Sequence, residues 1–294
     1  MLLKIICTVY LLNMPVLKCE NENVENFTVK YGNLTEVLFQ IKDNKIHLQH
    51  LQLEVLRMEQ MRQGALLDEL VAKLKSLEPT QFTGSCAEAA ALSRRSGVYQ
   101  ILVPGYSLHP FIVRCDEDTQ GGAWTTVLRR EDGSVDFFRF WKDYKNGFGN
   151  AIGEFFIGLD KLHFMTKVLD QELLITMEDF KGQHRFAKYD RFAIDNENEA
   201  YKMKTLGTYS GDATDCLREH AGQKFSSRDR DNDQHIENCA EKFTGGWWYN
   251  RCHVSNLMGV YNDSTFGKGI NWRDFTSHTA SLKRVQMMIR PRRY

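Results

Sequence analysis

A chain of 294 residues exceeds a peptide scaffold and fits one large domain or two smaller units. Hydrophobic residues at 42% and charged residues at 26% allow a packed core and exclude wholesale disorder. Lys+Arg and Asp+Glu balance at 38 each, so no summed field favours nucleic acid or an anionic membrane; any binding must come from a shaped site.

The chain opens with an apolar run from Met1 to Leu12 carrying one early lysine, well short of the roughly 20 residues a membrane span needs. This predicts a secretory signal over residues 1–19, cleaved between Pro15 and Glu20, and places the mature protein outside the cell. The polar stretch from Glu20 to Lys30 is expected to start no fold. Three glycosylation sequons agree with secretion, at Asn26, Asn33 and Asn262.

Residues 34–78 predict an α-helical coiled coil. Apolar residues stand at 34, 37, 41, 48, 51, 55 and 58 in alternating steps of three and four, with polar Asn44 on the same seam. The phase breaks near Arg62-Gln63-Gly64 and resumes with Leu67, Leu70, Leu74 and Leu77 before Pro79 stops the helix. At about 1.5 Å per residue such a rod spans on the order of 65 Å, too long to pack privately on one small domain, so it calls for partner copies, a homotrimer being favoured. Asn44 would restrict register and strand number at a cost in stability.

After the linker Glu78 to Ser85, composition turns aromatic-rich and Gly-rich, which defines a globular unit over residues 85–294. Strands are predicted at Val98 to Val103, Trp124 to Arg130, Leu173 to Glu178 and Val285 to Arg290, and a helix at Gly153 to Leu162. Residues 205–280 lack periodicity and are dense in Gly, Asp, Asn and Trp, as ordered functional loops are.

Seven cysteines include Cys7 in the signal and Cys19 beside its cleavage site. In an oxidising compartment the natural pairs are Cys86 with Cys115 and Cys239 with Cys252, each worth roughly 2–4 kcal/mol. Cys216 is left over, either as a bridge to another chain or to Cys19, or as a small buried thiol. From Ser227 to Cys239, carboxylates alternate with other residues through Asp229, Asp231, Asp233 and Glu237. Side chains two apart on a curled loop meet at one focus while carbonyls between them turn inward, which suits the oxygen cage of Ca²⁺. A solvated acidic loop balanced by Arg228 and Arg230 is the competing reading, and spacing alone does not separate the two.

The acidic loop runs into Cys239-Ala-Glu-Lys-Phe-Thr-Gly-Gly-Trp-Trp-Tyr-Asn-Arg-Cys252, then His253, Asn256, Gly259 and Gly269-Ile-Asn-Trp272. With Ser85-Cys86, Cys115 to Trp124, Arg129 to Phe137, and Gly147 to Phe155 in the same order, residues 85–291 resemble a fibrinogen C-terminal domain of the ficolin and tachylectin kind. The resemblance implies an α+β domain with a mostly antiparallel sheet and a loop-rich lobe holding a Ca²⁺ cofactor and a ligand pocket. It implies calcium bound by the carboxylates of Asp231 and Asp233 and the carbonyls of His235 and Glu237, with Asp229 a neighbour. It further implies a cis peptide at Arg251–Cys252 that turns the N–H groups of Cys252 and His253 into a cleft walled by Phe243, Phe266 and His278, with Trp248 nearby. Some acetyl-binding relatives carry Tyr where Phe266 and His278 stand, and fibrinogen's knob-binding pocket carries an acidic residue where Gly267 stands.

The function expected is a secreted, oligomeric, calcium-dependent pattern-recognition lectin of innate defence, binding N-acetylated sugars or microbial surface glycans with avidity from the stalk. The alternative is an angiopoietin-like secreted ligand binding a cell-surface receptor protein. An enzyme is not expected: the histidines and aspartates form neither H-E-x-x-H nor G-x-S-x-G. Nucleic acid and a membrane span are not expected either.

Overall fold

A computed structural model describes residues 6–8, 16–21, 24–30, 34–76, 83–91 and 93–292, which fall into two compact units, Met1–Thr80 and Gln81–Tyr294. In the first unit β1 (Ile6–Thr8), β2 (Val16–Asn21) and β3 (Val24–Lys30) form an antiparallel sheet in that order. This corrects the expectation that Glu20 to Lys30 starts no fold: Val24, Phe27, Thr28 and Val29 are strand formers, and their propensity outweighs the polar neighbours. Asn26 lies on β3, and Asn33 lies outside the described residues.

Helix α1 (Leu34–Ser76) runs unbroken through Gly64 and ends before Pro79, as the seam predicts. Leu48, Leu51, Val55, Met58, Leu67 and Leu70 are all exposed in the single chain. Among the described residues no helix is long and apolar enough to cross a membrane.

The second unit begins with α2 (Cys86–Ala89), then β4 (Gly97–Ile101), β5 (Phe111–Asp116) and β6 (Trp124–Arg130). Next come α3 (Trp141–Asn146), β7 (Phe148–Gly149), β8 (Phe155–Phe156) and α4 (Leu159–Val168), then β9 (Gln171–Glu178), β10 (His184–Ile194), β11 (Met203–Leu206) and β12 (Tyr209–Gly211). The remainder holds α5 (Cys239–Lys242), β13 (Ser255–Asn256), β14 (Asn271–Trp272), α6 (Arg273–Thr276) and β15 (Arg284–Pro291). The main sheet runs β11-β10-β9-β15-β6-β5-β4, and every ladder among the described residues is antiparallel.

The expected helix from Gly153 to Leu162 is corrected. Phe155 and Phe156 pair with Phe148–Gly149 and with Leu128–Arg129, and the helix starts only at Leu159. Gly158 enforces the boundary: its φ is +103°, and a Cβ there would come 2.6 Å from the Asn146 carbonyl carbon.

The last strand, β15, is inserted between β9 and β6, where Val285, Met287 and Ile289 are buried with Leu173, Ile175 and Met177. The chain therefore leaves the sheet after β12, makes the long excursion of residues 212–283, and returns as a central strand. The excursion is anchored at its C-terminal end by the buried central strand β15 and begins from β12, a short strand paired only with β10 among the described residues.

The candidate binding lobe

The lobe packs on its own aromatics. Trp247, Trp248, Tyr249, Phe225 and Trp272 are fully buried; Trp248 Nε1 donates to Tyr201 O at 2.8 Å, Trp272 Nε1 to Ala213 O at 2.6 Å and the Tyr249 hydroxyl to Gly245 O at 2.8 Å, whereas Trp247 Nε1 has no hydrogen-bond partner among the described residues. Burying such large side chains contributes roughly 1.5–3 kcal/mol each. Trp248, expected near the pocket, thus belongs to the interior and offers no surface to a ligand.

Cys86–Cys115 and Cys239–Cys252 are both disulfide-bonded, and Cys216 is a free buried thiol whose pKa burial pushes up to about 11. The Cys239–Cys252 bond ties the end of the acidic loop to the peptide Arg251–Cys252, which is cis.

In the acidic loop, Asp233 organises the backbone. Its Oδ1 accepts from His235 N at 2.8 Å and its Oδ2 from Cys239 N at 2.9 Å, while Asp231 Oδ1 accepts from Asp233 N at 3.1 Å. Burial pushes the Asp233 carboxyl up, and the neighbouring Asp231 carboxylate adds to that, against the lowering pull of the two backbone N–H groups. Two carboxylates crowded in this way fit a hard cation. Asp229 sits elsewhere: its Oδ1 accepts from Trp141 N at 2.7 Å, fastening the loop to α3, with Arg230 stacked 4.0 Å over the Trp141 ring. Asn238 caps α5 and donates to Ser227 O at 3.0 Å; an Asn ahead of Cys-Ala-Glu is an N-cap signal that could have marked it.

The structure brings Phe243, His253, Phe266 and His278 together. His253 lies in the middle, its ring 4.7 Å from Phe243, 5.2 Å from His278 and 5.9 Å from Tyr249, and Phe266 stacks 5.0 Å from His278. His253 Nε2 lies 3.0 Å from Gly267 O. A Cβ on Gly267 would come 2.5 Å from the Phe243 ring, and its φ of +74° is one that L side chains rarely adopt, so a substitution there would be strained and would require the ring to shift. The cup is filled by its own side chains, while Phe266 stands 63% exposed on its outside. No hydrogen bond among the described residues is donated by the N–H of Cys252 or His253, and Arg251 is exposed.

Sequence reasoning gave no site role to His220, which is buried beneath this cluster. Its Nδ1 lies 2.7 Å from Trp248 O, and its Nε2 accepts from the N–H groups of Val254 and Ser255 at 3.4 and 3.3 Å. This pattern places the proton on Nδ1. Burial lowers its pKa to about 4, and lowers that of His253 to about 3 with help from His220 and His278.

Residues 82–292 match the family described as "Fibrinogen beta and gamma chains, C-terminal globular domain". The chain belongs to this family. Mouse tenascin-R is 45% identical over 197 residues, 67% of this chain, and human tenascin-R is 44% identical over the same length. The matched chain spans only 14% of those relatives. The fibrinogen-like globe domain of human ANGPTL6 superposes with a TM-score of 0.70 at 40% identity, covering 74% of this chain and 98% of that one. The lamprey fibrin D-dimer complexed with the peptide ligand Gly-His-Arg-Pro-amide gives 0.67 at 29% identity, covering 88% of this chain and 92% of that one. The relatives reported are thus tenascin-R and angiopoietin-like globes beside fibrin, whereas the sequence resemblance points within the fibrinogen-related family to ficolins and tachylectins. The motifs that carry the resemblance are those of the shared frame, the disulfides and the aromatic interior, which do not separate one branch from another.

Proposed function

We propose that the chain is a secreted ligand of the angiopoietin-like kind, binding a cell-surface receptor protein through the loop-rich lobe of its fibrinogen-like domain. The observation that carries this reading is the closed cup with apolar side chains turned outward. Phe266 is 63% exposed and Ile236, at the tip of the acidic loop, 96% exposed. Protruding apolar and aromatic anchors suit a protein surface, where buried aromatics supply much of the binding energy. The exposed seam of α1 supports assembly through copies of the chain, a trimer being the favoured count. Gly267, lacking a carboxylate, gives no support to knob-peptide binding of the clotting kind.

The test uses the fluorescently labelled chain on cultured cells. Surface proteolysis of the cells should abolish binding, N-acetylglucosamine should not compete, and Phe266→Ser should weaken binding at least tenfold. Competition by the acetylated sugar would instead support the lectin reading, which the two unspent N–H groups at Cys252 and His253 favour. That reading carries the calcium-dependent glycan recognition and innate-defence role expected from sequence. A chain starting after residue 80 should be a monomer by light scattering.

We also propose calcium in the acidic loop, held by the carboxylates of Asp231 and Asp233 and the carbonyls of His235 and Glu237. The ion would order the lobe. At a free concentration tenfold above a Kd of order 10⁻⁴ M it adds about 1.4 kcal/mol. Calcium should therefore raise the melting temperature by a few degrees, and the Asp231→Ala, Asp233→Ala double variant should lose that response. A calcium response that persists in the double variant rejects the assignment.

A further inference from the structure

We infer that the outer face of the main sheet carries a second binding site, for a sugar bearing a carboxylate, distinct from the lobe and independent of its proposed role. A cavity of about 480 Å³ opens on that face, within the range of small-ligand sites. Its floor is set by strand register. Phe186, Thr176, Gln286 and Arg129 stand side by side across β10, β9, β15 and β6, and His184, Glu178 and Arg284 form the next row.

The chemistry of the floor is unbalanced in two ways. Gln286 Oε1 is buried with no hydrogen-bond partner, an acceptor waiting for a donor such as a sugar hydroxyl. The guanidiniums have donors to spare. Arg284 spends Nη1 on Glu178 at 3.0 Å, and Arg185 spends Nη1 on the carbonyl and carboxylate of Asp212 at 3.4 and 3.8 Å. Their Nε and Nη2 groups meet no protein acceptor among the described residues, and both side chains are about half exposed. Glu178 is shared by Lys283, at 3.2 Å, and Arg284, so one cation is uncompensated, whereas Arg129 is paired with Glu131 and Arg185 with Asp212.

A ligand that satisfies both deficits has hydroxyls for Gln286 and an anion for the arginine forks. A single spare positive charge matches one carboxylate per sugar and not the several charges of a heavily sulfated one. The planar amide, the guanidiniums and the Phe186 ring offer the flat, mixed surface that a pyranose needs.

The experiment is calorimetric titration of the full chain with three tetrasaccharides. These are hyaluronan (carboxylate, no sulfate), a heparin fragment (carboxylate and sulfate) and chitotetraose (neutral, N-acetylated). The hyaluronan fragment should bind at least tenfold more tightly than chitotetraose and no more weakly than the heparin fragment. The Arg185→Gln, Arg284→Gln variant should lose that preference, Gln286→Glu should abolish binding by placing a like charge in the groove, and Phe266→Ser should leave it unchanged. Added hyaluronan should also protect amides of 176–178 and 284–286 from hydrogen exchange in the unsubstituted chain, which needs no variant to fold. Binding of the heparin fragment alone, equal binding of chitotetraose, or protection confined to the lobe would each overturn the proposal.

Discussion

Arg130→Ala should destabilise the fibrinogen-like domain by about 3–5 kcal/mol, the largest loss expected of any single substitution in it. The Arg130 side chain is 1% exposed, and its Nε lies 3.5 Å from Oε1 of Glu154, which is fully buried. Its Nη1 donates to the carbonyls of Leu257 at 3.2 Å and Gly259 at 2.7 Å, and its guanidinium sits 3.8 Å over the Phe137 ring. One side chain therefore joins strand β6 to the lobe. Burial lowers its pKa to about 10, against the raising pull of Glu154, so it stays charged at neutral pH.

Without Arg130, two lobe carbonyls and one carboxylate are left buried without their cation, which is why the loss is large. Glu154 remains fixed because it also accepts from the N–H groups of Glu131, Asp132, Gly133 and Val135 at 2.9 to 3.3 Å. The double variant Arg130→Met, Glu154→Gln removes both charges, and its amide oxygen at the Oε1 position still accepts from Glu131, Asp132 and Gly133, losing only the bond from Val135 N. It should recover at least half of the loss in urea midpoint. If the double variant is no better than Arg130→Ala alone, the stranded carboxylate is not the source of the cost.

This pair also shows where the sequence stops being legible. Arg129-Arg130-Glu131-Asp132-Gly133 was visible as a spaced motif, and the cysteine spacing foretold both disulfides, because local spacing survives in one dimension. That Arg130 meets a carboxylate 24 residues on and carbonyls beyond residue 256 depends on how β15 threads the sheet, which no local pattern encodes. The misplaced helix at Gly153 to Leu162 has the same origin: Phe155-Phe156 pairs with distant strands, and tertiary pairing overrides an ambiguous apolar run. Nor does any local pattern place His220, which the folded lobe buries completely, or set the ring of His253 at the centre of an aromatic cluster.

Those two histidines make the lobe's stability depend on pH. Both have folded pKa values below the ordinary 6.5, about 4 for His220 and about 3 for His253, chiefly through burial. Below pH 6.5 the unfolded chain binds two protons that the folded chain refuses. The stability these groups contribute is therefore whole above pH 6.5 and is lost as pH falls toward 4 and 3. Two protons correspond to a slope of about 2.7 kcal/mol per pH unit across most of that window. His278, also lowered by burial and by Arg273, adds a smaller share. Urea unfolding monitored by tryptophan fluorescence at pH 7, 6, 5 and 4.5 should show the midpoint steady above 6.5 and falling steeply below it. His220→Asn, which removes one titrating ring, should roughly halve the slope. A midpoint that is flat from pH 6.5 to 4.5 would mean that both rings are protonated in the folded lobe, and His220 Nε2 could then no longer accept from the N–H groups of Val254 and Ser255.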